Sequence, residues 1–204
     1  DPQALAEFGL LLAEVSPDRR AYETISRALI RQPDRADLQR KAAELAIRIG
    51  RFADAREQLE DHLLVGSPRD PELLEMLAAC QLADEAWEQA AATLQAAIEH
   101  GPDRLDAYRQ LAAVLRARLD RPDEADRWMR RLVEQNPDSA RAHRLRADDL
   151  LGLGRLEEAR PEVETALKLS PDDQDALWTA ARCALASGRM DEASALASSM
   201  RPLA

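Results

Sequence analysis

Five prolines fall at a nearly constant interval: Pro33, Pro68, Pro102, Pro137 and Pro171 are spaced 35, 34, 35 and 34 residues apart. An alanine series keeps the same step, with Ala21, Ala55, Ala90, Ala125, Ala159 and Ala193 at intervals of 34, 35, 35, 34 and 34. Two residue types sharing one period identify a repeated unit, present six times in 204 residues. A unit of this size holds one supersecondary motif that cannot bury its own apolar face, so successive units must stack. The chain therefore reads as a single repeat domain, 1–204, with units 2–35, 36–70, 71–104, 105–139, 140–173 and a short 174–204.

The fifth unit shows the pattern most cleanly. His143, Ala147 and Leu150 step by four and three, the stripe of an amphipathic helix. Gly154 ends that helix, because a residue without Cβ adopts the left-handed conformation at low cost. Leu156, Ala159, Val163, Ala166 and Leu167 form a second stripe, and Pro171 closes the unit while steering Ser170 away from helical angles. Gly50 and Gly188 recur at the place of Gly154, and Phe52 and Met190 at that of Leu156. His100-Gly101-Pro102 combines three helix-stop signals. Asp172-Asp173-Gln174-Asp175 lacks the Gly and the distant Glu of a calcium loop and reads as a helix N-cap with an acidic first turn. Asp34, Asp70, Asp103 and Asp138 recur nearby and are predicted to cap in the same way.

Composition agrees with an all-α fold, since Ala and Leu abound and β-branched residues are few. A hydrophobic fraction of 46% excludes intrinsic disorder. No apolar run approaches the roughly 18 to 20 residues needed to span a bilayer, so direct membrane insertion is not expected. With 38 acidic against 28 basic side chains, the net charge of −10 repels a phosphate backbone and argues against nucleic-acid binding. Lysine occurs only at Lys41 and Lys168, which leaves arginine as the working cation.

Signals for chemistry are missing. His62, His100 and His143 lie in three different units without the i, i+4 pairing of a helical metal site. The chain has no HExxH, no GxSxG and no glycine loop preceding a lysine. Cys80 and Cys183 belong to the third and sixth units, and bridging them would cross three stacked units against a limit of about 7 Å between Cα atoms. No catalytic residue, cofactor or metal is expected, and the chain is not expected to be an enzyme.

Small residue, Leu, Gly, large apolar, Ala, apolar, Ala, Pro is the order in which Ala147, Leu150, Gly154, Leu156, Ala159, Val163, Ala166 and Pro171 occur. This unit resembles the tetratricopeptide repeat (TPR). In the first unit Phe8-Gly9 stands where the family has Leu-Gly, followed by Leu12, Ala21, Ile25, Ala28 and Pro33, and the resemblance extends over essentially the whole chain. The large aromatic that the family carries early in its first helix survives only as Tyr108, being replaced by Leu5, Gln39, Leu74, His143 and Leu177. One extra residue is expected in the turn around Asp120 and another near Gly66-Ser67-Pro68, and Gln81-Leu82 is slightly out of step. The resemblance implies a right-handed α-solenoid of antiparallel helix pairs whose first helices line a concave face. Chain ends that lack an initiator Met, a last helix expected to stop at Pro202 and no helix to cover it read as a piece of a longer protein.

One residue beyond each core stripe, the first helices should present a second stripe to that concave face. It runs Ala6, Leu10, Ala13; Arg40, Glu44, Ile47; Glu75, Ala79, Leu82; Arg109, Ala113, Arg116; Arg144, Asp148, Leu151; and Trp178, Arg182, Leu185. Arginines beside aliphatic and aromatic residues suit a protein or peptide segment carrying acidic and apolar side chains. The Lys and Asn pattern with which some family members clamp a C-terminal carboxylate is absent, since the one asparagine, Asn136, sits in a turn. Trp87 and Trp128 read as packing residues. The expected function is a non-enzymatic interaction scaffold. Two other readings stand beside it: a recruiting arm of a larger enzyme, and a spacer that self-associates through its terminal repeats into a homo-oligomer.

Overall fold

The computed structural model describes residues 1–200, among which no strand occurs. Its helices are α1 (Pro2–Val15), α2 (Arg19–Leu29), α3 (Ala36–Arg48), α4 (Phe52–Gln58), α5 (Pro71–Ala83), α6 (Trp87–His100), α7 (Leu105–Ala117), α8 (Pro122–Gln135), α9 (Ala140–Gly152), α10 (Leu156–Leu169), α11 (Gln174–Ala186) and α12 (Met190–Ser199). Helix α4 is prolonged by a π turn, Leu59–Leu63, and a last α turn, Leu64–Gly66. Odd-numbered helices, here A-helices, each pack antiparallel on the following B-helix, as the resemblance implies. The stop expected at Pro202 lies outside the described residues.

The chain divides into two compact units, breaking between Gly101 and Pro102. In the first, α1 to α6, each B-helix packs on the next A-helix, and α1, α3 and α5 also touch in succession. In the second, α7 to α12, the same contacts join α7, α9 and α11. The small-residue column lets the helices of a pair approach: Ala43, Ala78 and Ala147 are fully buried. In the first pair Gly9 holds this place, and a Cβ built there would lie 2.8 Å from Cγ1 of Ile25.

Three features of the turns follow from local chemistry. First, the N-cap of the A-helix falls two residues after each of the five repeat prolines, at Arg35, Asp70, Arg104, Ser139 and Asp173. Asp70, Ser139 and Asp173 accept backbone amides in this role, as capping oxygens do. Asp34, Asp103 and Asp138 do not cap, contrary to expectation, because the proline turn puts them one residue too early.

Second, the turn from A- to B-helix needs one left-handed residue, supplied by Gly50, Gly154 and Gly188 at φ 77°, 72° and 74°. In the third and fourth repeats Glu85 and Asp120 take that conformation instead, at φ 59° and 53°. The amide that follows closes each turn onto the preceding helix: Arg51, Ala86, Arg155 and Arg189 donate to carbonyls five residues back at 2.7 to 2.9 Å. Arg121 reaches six residues back, to Leu115 at 2.8 Å, so the extra residue near Asp120 is where the sequence places it.

Third, the extra residue expected near Gly66 is absorbed earlier, in the π turn, where the Leu64 amide donates to the Leu59 carbonyl. Leu59 and Leu63 remain buried on either side of it. The polar substitutes for the early aromatic share one partner. Gln39 Nε2 donates to the Pro33 carbonyl at 2.6 Å, and His143 Nε2 lies 2.9 Å from that of Pro137, each six residues upstream. The other His143 nitrogen meets Glu162 at 2.6 Å. Tyr108 is fully buried and meets Trp128 edge-on at a centroid distance of 6.3 Å.

Candidate partner-binding face

The inner stripe is best followed within each unit. In the first, Ala6 and Ala13 are buried and Leu10 is half-buried, so this A-helix offers little to a partner. Arg40 on α3 donates to Asp70 and to Glu72 of α5, both at 2.7 Å. Asp70 is therefore both the cap of α5 and the acceptor that ties α3 to it. Burial raises the Asp70 pKa, but the Arg40 hydrogen bond and the cap amides outweigh it and leave the carboxyl below its usual value. Glu44 pairs with Lys41, its neighbour one turn away. Ile47 packs against the apolar core of this unit, while Glu75 and Leu82 on α5 are half-buried.

In the second unit the stripe is denser. Arg116 of α7 binds Asp149 of α9 through both terminal nitrogens, one of them at 3.0 Å. Asp148 receives Arg182 at 2.8 Å and the Thr179 hydroxyl at 3.1 Å, both from α11, and Arg144 of its own helix at 3.3 Å. Asp106 of α7 accepts from Arg141 of α9 at 2.6 Å. Between these helices lies a cavity of about 440 Å³ lined by Asp106, Arg109, Arg141, Arg144, Asp148 and Asp149, with Leu145. Leu151 is partly buried against the core. Trp178 and Leu185 are 60% and 55% exposed, seven residues apart on one face of α11, with Arg182 between them.

The structure thus brings Arg109, Arg144 and Asp148 to one cavity and Trp178, Arg182 and Leu185 to one helix face. It assigns Arg40 and Arg116 to ion pairs between successive A-helices, and Ile47 and Leu151 partly to packing.

A buried charged cluster lies outside the stripe that the sequence singles out. Arg146, only 3% exposed, donates to Asp149 at 3.1 Å and lies 2.9 Å from Asp126 of α8, which also accepts from Arg155 at 2.9 Å. The signal was available in register: Arg146 aligns with Phe8, Ala42, Leu77, Leu111 and Ala180, and Asp149 with Leu11, Leu45, Cys80, Val114 and Cys183. A charged pair in two otherwise apolar columns marks a polar junction between stacked repeats.

Other chemistry is not assembled. Among the described residues no group of three His, Cys, Asp or Glu side chains is placed to hold a metal ion. Both cysteines are buried free thiols, and burial pushes Cys80 up to about 11, far from a reactive thiolate. No described helix is long and apolar enough to cross a membrane.

Two tetratricopeptide-repeat family models match the chain, one over residues 81–148 and 150–204, the other over 19–71 and 40–107. Among curated proteins no relative matches. Solved structures with a similar fold include pilF of Pseudomonas aeruginosa, at 18% identity and TM-score 0.67, covering 96% of this chain and 88% of that one. A TPR protein of Thermus thermophilus is similar at 23% identity and TM-score 0.61, covering 92% and 99%. YrrB, a TPR protein with an unusual peptide-binding site, is similar at 24% identity and TM-score 0.57, covering 87% and 91%. At these identities the likeness is one of fold. With family models matching nearly its whole length, the chain belongs to the tetratricopeptide repeat family.

Proposed function

We propose that the chain is a non-catalytic interaction scaffold that takes a segment of a partner protein along the inner faces of its A-helices. The observation that carries this reading is the face of α11. Stacking buries most of that helix, yet Trp178 and Leu185 remain more than half exposed on one side of it. Covering both removes on the order of 200 Å² of apolar surface from water, a gross gain of about 5 kcal/mol. That gain is comparable to the cost of association alone, so polar contacts from neighbouring A-helices have to contribute as well. The peptide-binding site of YrrB supports the same use of this fold.

The test is affinity capture from a lysate of the source organism, with mass spectrometry and two baits: the native chain and Trp178→Ser/Leu185→Ser. Both substitutions lie at exposed positions and leave the core intact, whereas reversing Arg40 or Arg116 would break contacts between A-helices. A partner retained by the native chain and lost from the variant is expected. Equal retention by both would remove the A-helix face as the binding surface.

Self-association is the second reading, and α1 favours it. Phe8, Leu11 and Val15 are 50%, 60% and 85% exposed along one face. Their counterparts one repeat later, Ala42, Leu45 and Ile49, pack into the core. Helix α1 therefore presents an apolar stacking face of the kind that buries against a neighbouring helix pair.

A further inference from the structure

We infer that the cavity between α7 and α9 is a carboxylate pocket: it takes an acidic side chain of the partner segment between Arg109 and Arg144, while an apolar side chain of the same segment lies on Trp178. This rests on the scaffold reading above and names what the bound segment must carry.

Most guanidinium groups of the A-helices are already used. Arg40, Arg141 and Arg182 each reach a carboxylate at 2.6 to 2.8 Å, the range of charge-assisted bonds. Arg144 does not. Its terminal nitrogens stand 3.3 Å from Asp148 and 3.4 Å from Asp175, and its Nε is buried with no hydrogen-bond partner. The side chain is only 16% exposed, so water does little to make up the deficit. Arg109 is the second exception, with its nearest carboxylate, that of Asp106, 3.7 Å away and already engaged by Arg141.

These two under-used arginines are 35 residues apart, at the same register position on touching A-helices, and both line the cavity. Two guanidinium forks facing one space match the oxygens of a carboxylate. The lining carboxylates Asp106, Asp148 and Asp149 set the charge that is tolerated, and each is already held by an arginine: Arg141, Arg182 and Arg116 respectively. A singly charged carboxylate between Arg109 and Arg144 meets less repulsion from these three than a phosphate dianion would. Trp178 follows Arg144 by 34 residues at the same register on α11, so an extended segment crossing the A-helices meets the arginines and then the indole.

The experiment is a selection from a phage-displayed random dodecapeptide library, run against the native chain, Arg109→Gln and Arg109→Gln/Arg144→Gln. Arg109 is mostly exposed, so its single variant tests the pocket even if the double variant unfolds, which circular dichroism will show. Peptides selected by the native chain should be enriched in Glu or Asp a few residues from an aromatic or aliphatic residue, and the variants should lose the acidic enrichment. For a selected peptide, labelled with fluorescein and read by fluorescence polarisation, Glu→Gln should weaken native binding about tenfold and binding to the double variant less than twofold. Selected peptides without an acidic position, or equal weakening in both proteins, would overturn the pocket alone. A selection that yields no binder would overturn the scaffold reading with it. Dimerisation of the native chain that the variants abolish would give the pocket to a second copy and overturn its assignment to a partner.

Discussion

Glu85→Gly should make the protein more stable, although it removes a side chain and adds the most flexible residue to the chain. Glu85 sits at φ 59°, where three other repeats use glycine. A left-handed conformation costs an L-residue roughly 1 to 2 kcal/mol. Its carboxylate also stands just beyond the C-terminus of α5, where a negative charge opposes the helix dipole by about 0.3 kcal/mol or more at an exposed site. Against these gains, glycine loses about 0.5 to 1 kcal/mol more on folding, because it restricts the unfolded chain less. The net is a stabilisation of about 1 kcal/mol, worth roughly 2 to 4 °C for a chain of this size. The reverse change serves as control: nothing lies within 4 Å of a Cβ built at Gly154, so Gly154→Ala carries the backbone cost without a clash and should destabilise by about 1 kcal/mol. Urea denaturation and thermal melting followed by circular dichroism at 222 nm measure both. A lower melting temperature for Glu85→Gly, or no effect of Gly154→Ala, would refute the account of these turns.

Two further outcomes follow from the packing. Asp126→Asn leaves Arg146 buried with only Asp149, which Arg116 already shares, and should cost about 3 kcal/mol at neutral pH in urea denaturation. Burial raises the Asp126 pKa, but the hydrogen bond from Arg146 and the charges of Arg155 and Arg130 hold it below its usual value. Its contribution is therefore present above the usual carboxylate range, near pH 4, and fades as pH falls below it, so the gap between the native chain and the variant should narrow in acid; a gap that widens as pH falls below about 4 would exclude this cause. Phe8→Ser/Leu11→Ser should abolish concentration-dependent growth of the mass seen by multi-angle light scattering, and a native chain that stays monomeric at every concentration would dismiss self-association through α1.

The repeat, the helix pairing and the glycine turns were legible because each depends on residues within one turn or one period. The caps misled for a local reason: aspartate follows several of the repeat prolines directly, whereas the proline turn delivers the next residue to the cap. The extra residue before Pro68 was detected from spacing, but spacing does not say whether a loop or a helix absorbs it, and Leu59 and Leu63 settle that by staying buried across the π turn. For the inner face, the sequence identified which arginines sit in the stripe but not which are spent. Their partners lie about one repeat away, as Asp70 does from Arg40 and Asp149 from Arg116, and the choice among adjacent acids such as Asp148 and Asp149 rests on side-chain geometry. The buried Arg146 was hidden by reading each helix as a stripe; it emerges only when the six repeats are laid column against column.

The π turn has a consequence for anyone who would lengthen, shorten or graft this chain. Arg40 and Glu75 stand 35 residues apart and Glu75 and Arg109 only 34, yet all three hold the same place on their A-helices. The surplus residue is spent inside a B-helix, like slack taken up between two fixed rungs. Ladder positions in this protein therefore have to be counted rung by rung, and a module cut at a fixed length of 34 across Leu59–Leu63 would turn the register of the helix stretch that follows the cut by about 100°.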